Sequence, residues 1–109
     1  MKLGLKTNRL HQKALDYYCR GNCKKLLKNY KGAVADFAKA IKYNPNFAEA
    51  YFRRANIKII LKDTEGAILD YDRAIELNPD FAEILNKSQL IKLYEKDQKV
   101  ENLDLVKAG

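Results

Sequence analysis

The 109 residues carry 21 Lys+Arg against 14 Asp+Glu, a formal net charge of +7, and 47% of them are hydrophobic. That length holds one small domain, with enough apolar material for a core. Five Gly, two Pro and two Cys exclude collagen, low-complexity linkers and a disulfide scaffold, and the Ala-, Leu-, Lys- and Glu-rich stretches point to an all-α fold.

Residues 1–13 form a basic N-terminal arm with Lys2, Lys6, Arg9 and Lys13. Met1-Lys2-Leu3-Gly4-Leu5-Lys6 lacks the apolar h-region of a secretory signal, so the default expectation is a cytoplasmic chain. Thr7 or Asn8 is the expected N-cap of a helix that runs on into the next segment. From residue 14 onward the chain repeats itself. Residues 14–47 align with 48–81 at an offset of 34 without a gap, and fifteen of the thirty-four positions are identical. Among them are Ala14/Ala48, Tyr17/Tyr51, Arg20/Arg54, Asn22/Asn56, Gly32/Gly66, Asp36/Asp70, Ala40/Ala74 and Pro45/Pro79.

Each unit holds two stretches of helical apolar spacing, broken at Lys28-Asn29 and Lys62-Asp63 and closed by Asn44-Pro45 and Asn78-Pro79. Proline cannot continue a helix interior, so the second helices are predicted to end near Tyr43 and Leu77. Gly21/Ala55, Ala33/Ala67 and Ala40/Ala74 allow close helix approach, and Tyr17/Tyr51 and Phe37/Tyr71 are expected to fill the space between helices. No apolar run nears the roughly 20 residues of a membrane span; Ile59-Ile60-Leu61 is cut off by Lys58 and Lys62.

The 34-residue period, the small and aromatic positions and the closing Pro resemble the tetratricopeptide repeat. Tyr-Tyr-Cys-Arg-Gly-Asn at 17–22 and the string from Gly66 to Pro79 are similar to a widespread subtype of it. The resemblance implies a right-handed α-solenoid of helix–turn–helix units: repeat one at 14–47, repeat two at 48–81, and a degenerate third or capping unit at 82–109. Arg20 and Arg54 are then scaffold residues.

Catalysis has little to draw on: one His (His11), one Ser (Ser88), two Thr and isolated glycines give neither a triad nor a phosphate loop. A non-enzymatic chain without cofactor is therefore expected. Cys19, Cys23 and His11 lack a fourth metal ligand, so no metal is expected either; Cys23 is read as packing on the next helix and Cys19 as a free thiol. Asp36 and Asp70 are read as solvated surface, and Lys24/Lys58 with Lys28/Lys62 as a repeated solvated face.

The family resemblance implies that first helices line a concave groove for peptide segments. The candidate lining is Tyr18, Asn22 and Lys25 from unit one, with Leu15 and Cys19 beside them; Glu49, Phe52, Arg53 and Asn56 from unit two, with Ile59; and Lys87, Leu90 and Tyr94 from unit three, with Glu83 and Asn86. Amides at Asn22 and Asn56 suit a peptide backbone, the aromatics suit apolar side chains, and Lys25, Arg53 and Lys87 suit acidic groups. The expected role is a protein-interaction adaptor whose partner protein or peptide the residues do not identify. A chaperone-tail ligand is not expected, because Tyr18, Arg53 and Glu83 replace the clamp residues of relatives that bind such tails.

Charge supplies an alternative. Residues 1–46 hold 11 Lys+Arg against two Asp, whereas residues 47–109 hold 10 against 12 acids. The basic half suits an acidic protein or nucleic acid, and exposed solenoid ends allow a monomer or a weak homo-oligomer.

Overall fold

The computed structural model describes residues 2–84, with side chains from residue 9 onward. The third-unit residues Asn86, Lys87, Leu90 and Tyr94 lie outside them. Within residues 1–78 four helices follow in order: α1 (Lys2–Leu26), α2 (Tyr30–Tyr43), α3 (Ala48–Ile60) and α4 (Thr64–Leu77). A second compact unit begins at Pro79, and its described part is the short α5 (Asp80–Ile84).

Both second helices end at the predicted residues, Tyr43 and Leu77. Asn44 and Asn78 precede proline and turn extended, at ψ 91 and 98, while their N–H groups still close the last helical turn on Ala40 and Ala74. The N-terminal expectation changes. α1 is continuous from Lys2, so neither Thr7 nor Asn8 begins a helix; both lie inside it.

The two turns within the repeats have the same construction. Lys28 and Lys62 adopt φ 63 and 67, the left-handed conformation of a Schellman cap. The next residue closes the cap: Asn29 N–H reaches Lys24 O and Asp63 N–H reaches Lys58 O, each at 2.8 Å. That residue then begins the following helix, because Asn29 Oδ1 accepts from Gly32 N–H and Asp63 Oδ1 from Gly66 N–H. Glycine three residues on leaves room for the capping side chain. A Cβ at Gly32 or Gly66 would come within 2.6 or 2.3 Å of the capping side chain.

Packing follows the small–large pattern. Phe37 and Tyr71 are fully buried between their helix pairs, beside Ala33/Ala67 and Ala40/Ala74. Gly21 lets α1 close on the Phe37 ring, where an added Cβ would stand 2.8 Å from Cε1. Ala14, Ala40, Phe47 and Ala50 join the repeats in one cluster, and Ile57 packs with Ala33 and Phe37 in another. A buried Phe or Leu side chain contributes about 1.5–3 kcal/mol relative to exposure, so Phe37 and Phe47 are principal anchors of this core.

Candidate functional site

The first helices of the two repeats meet through Tyr18. Its ring contacts Phe37 at 5.8 Å and Phe47 at 4.9 Å, which fixes the hydroxyl above α3. There Arg53 Nε donates to Tyr18 Oη at 3.1 Å, and Tyr18 Oη donates to Glu49 Oε2 at 3.3 Å. Three predicted groove residues thus form one hydrogen-bonded relay. Its acceptor and donor capacities are matched: the phenol oxygen takes one bond and gives another.

Asn22 and Asn56 occupy the same place in their repeats but differ in their bonding. Tyr71 Oη donates to Asn56 Oδ1 at 2.5 Å, and burial pushes the Tyr71 phenol well above its ordinary range. Repeat one has Phe37 in place of Tyr71, so no hydroxyl engages Asn22; among the described residues its amide has no partner. Phe52 is half-buried edge-on against Tyr71 at 5.8 Å. Its ring is therefore shared between the core and the surface. Lys25 is half-buried with no carboxylate within ion-pair reach among the described residues.

Two readings of the sequence need correction. Asp36 and Asp70 are not solvated: they are 2% and 5% exposed. Lys24 and Lys58 are not a solvated face either, since their ammonium groups reach these aspartates at 2.9 and 3.0 Å. The reason is geometric. Residues 20 and 24, like 54 and 58, are one helical turn apart and face the same point on the second helix. Arg54 adds two hydrogen bonds to Asp70, both of 2.7 Å, and this bidentate clasp makes it the scaffold residue that was expected. Arg20 stands 3.8 Å from Asp36 and is itself 59% exposed. The repetition of Arg, Lys and Asp at fixed offsets was the signal from which a buried clasp was readable.

Cys19 is the free thiol that was expected, but Cys23 differs from its reading. Both are exposed free thiols. Cys23 does not pack on the next helix, because α1 turns Ala14 and Gly21 toward α2 and carries the two thiols on its outer side. Among the described residues no three His, Cys, Asp or Glu side chains form a metal site, and no helix is long and apolar enough to cross a membrane.

Comparison with known proteins adds the context. Models of the tetratricopeptide repeat match residues 14–47 and 48–81. A comparison with curated protein sequences finds no match. Among solved structures, "Crystal structure of MamA" superposes with a TM-score of 0.69 at 22% identity, over 83% of this chain and 51% of that one. The chain thus spans about half the length of that protein, and the likeness is one of fold. "First TPR of Spaghetti (RPAP3) bound to HSP90 peptide SRMEEVD" is similar at a TM-score of 0.44 and 23% identity, over 75% of this chain and 95% of that one.

Proposed function

The chain belongs to the tetratricopeptide repeat family, and on that premise we propose that it is an adaptor whose α1/α3 face binds an extended peptide segment of a partner protein. Repeats of this family are generally protein–protein interaction modules of a non-enzymatic fold. The observation that carries the reading is Asn22: a half-buried amide without a partner among the described residues, beside a relay that holds Arg53 by Nε alone.

A primary amide both donates to a peptide carbonyl and accepts from a peptide N–H, whatever the ligand sequence. Asn56 already accepts one bond from Tyr71 on its oxygen, so its NH₂ group is the more available part. The Nη groups of Arg53, with Lys25, suit a carboxylate, and Tyr18 and Phe52 suit an apolar side chain. The preferred ligand is a peptide with an acidic residue next to an apolar one.

The test begins with a peptide selected from a random library on the immobilised chain. Its affinity is expected to fall about tenfold in Asn22→Ala, the worth of one or two lost hydrogen bonds, with helicity unchanged by circular dichroism. An unchanged affinity would refute the face assigned here. If the library yields no peptide while a random-sequence oligonucleotide binds the immobilised chain and is released as salt rises, the function moves to the basic first half.

A further inference from the structure

α1 carries a second functional-looking face, opposite the one that bears Tyr18, Asn22 and Lys25. Lys13, Asp16, Tyr17 and Arg20 recur at i, i+3, i+4 and i+7 and so share one side of the helix. With Tyr43 of α2 they line a cavity of about 280 Å³. The Tyr17 and Tyr43 rings stack at 5.7 Å and 7°. Three cations are set against this pair: Lys13 Nζ lies 5.4 Å from the Tyr43 ring centre, and Arg20 and Lys39 lie 5.4 and 5.3 Å from that of Tyr17.

These charges are poorly compensated. Asp16 is the one carboxylate lining the cavity, and it accepts from Gln12 Nε2 at 3.2 Å. Among the described residues Lys13 and Lys39 have no carboxylate within 4.0 Å, and Arg20 is 3.8 Å from Asp36. The second repeat provides an internal contrast. Phe47 and Ala50 stand in the places of Lys13 and Asp16 and are buried in the core. Arg54 is bound to Asp70 and Arg73 to Glu76. The tyrosine–cation arrangement recurs there, with Arg54 5.7 Å from the Tyr51 ring centre, but its charges are spent. In repeat one they face solvent.

Lys13, Arg20 and Asp16 line the cavity and Lys39 stands beside it on the Tyr17 ring, so three cations and one carboxylate leave two positive charges around the tyrosine pair. A phosphoryl group brings roughly −1.5 to −2 and three strong acceptor oxygens; a single carboxylate would neutralise only half of the excess. We infer that the α1/α2 seam of the first repeat is a binding site for a phosphoryl group, held by Lys13, Arg20 and Lys39 against the Tyr17–Tyr43 pair. A phosphorylated peptide side chain and the free phosphate ion share this chemistry. An adjoining cavity of about 200 Å³, lined by Leu10, His11, Tyr43 and Asn44, provides room for the residues that flank a phosphorylated side chain. The site is separate from the peptide face, on the other side of α1.

The experiment is an NMR titration of the isotope-labelled chain with inorganic phosphate, then with a phosphoserine hexapeptide and its unphosphorylated form. Saturable shifts are expected at Lys13, Tyr17, Arg20, Lys39 and Tyr43. Lys13→Gln combined with Lys39→Gln removes two exposed side chains with no ion pair to lose, so the fold is retained; affinity is expected to drop about tenfold or more, as when charge-assisted bonds are lost. Asn22→Ala is expected to leave the titration unchanged, which separates this site from the peptide face. A phosphopeptide that binds more tightly than the ion, with shifts extending to His11 and Asn44, assigns the peptide source; equal affinity assigns the free ion. Shifts that never saturate and spread over lysines of the whole chain would overturn the site, as would affinity indifferent to the double variant.

Discussion

In the second repeat Asp70 receives two hydrogen bonds of 2.7 Å from Arg54 and an ammonium at 3.0 Å from Lys58. In the first, Asp36 keeps Lys24 at 2.9 Å, but Arg20 has withdrawn to 3.8 Å. Lys24 approaches Asp36 Oδ2 off the hydrogen-bonding direction, so that buried oxygen has a compensating charge without a hydrogen bond. The same three residue types at the same offsets therefore make a closed clasp once and an open one once. The difference lies in what surrounds the arginine. Arg54 is 19% exposed, beside an α3 whose preceding turn, Phe47 and Ala50, is sealed against repeat one. Arg20, 59% exposed, stands at the rim of an open cavity and leans on Tyr17. Burial strengthens an ion pair only where water is kept out, so only the second arginine is held fast.

The sharpest way to break this comparison is to remove each arginine in turn. Arg54→Met leaves Asp70 buried with one cation, and breaking such a pair costs about 3 kcal/mol. Arg20→Met is expected to cost less than about 1 kcal/mol, the range of exposed pairs. Urea denaturation of the two variants measures the gap; equal losses would mean that the two clasps are energetically alike.

The interhelical contact behind each clasp offers a second, smaller test. Gly21→Ala drives a Cβ to within 3 Å of the Phe37 ring, and overpacking of this kind costs about 1–3 kcal/mol. The gain in helix propensity recovers about 1 kcal/mol of it. Ala55→Gly, the reverse exchange in the second repeat, is expected to destabilise as well, by about 1 kcal/mol from propensity alone. Thermal melts of both variants should therefore move down together. A rise in Gly21→Ala would show that the Phe37 ring yields freely.

The turns are where the repeats agree, and they sharpen the comparison by contrast. Lys28→Gly and Lys62→Gly replace a side chain that is crowded at positive φ. Part of that relief is lost to the greater freedom of glycine in the unfolded chain, leaving about 0.5 kcal/mol of stabilisation at each site. Closely similar gains are expected in chemical denaturation, because the two caps have the same bonds. Unequal gains would expose a hidden difference between the turns.

Alkali distinguishes the repeats with the smallest effect. Burial holds the Tyr71 phenol above its ordinary value of 10.0. Below that value both folded and unfolded states keep the proton, and stability does not depend on this group. Above it the unfolded chain ionises while the folded chain does not, so stability falls as pH rises through the unfolded value. Phe37 in repeat one has nothing to ionise. Tyr71→Phe is expected to remove that share of the slope, which denaturation at neutral and alkaline pH would measure.

The repeat boundaries, the helix ends before Pro45 and Pro79 and the small–large packing of Gly21 against Phe37 were legible in the sequence. Backbone constraints and side-chain volume act locally, and they recur at an offset of 34. The run of α1 through the basic arm was only partly legible: polar residues of good helix propensity announce no fixed start, and the helix begins ahead of both proposed caps. The proposed peptide face was read from sequence as a list of positions, without its hydrogen bonds. Asn22 and Asn56 look alike in sequence, and only the packing of Phe37 opposite one and Tyr71 opposite the other makes the first amide free and the second engaged. The same holds for charge. Sequence alone determined how many cations the first repeat carries; tertiary structure decided that Lys24 is spent on a buried aspartate while Lys13, Arg20 and Lys39 gather on two stacked tyrosines. The physical reason is range: a helix period places residues on a face, but the worth of a charge depends on the water and counter-charge that neighbouring helices admit or exclude.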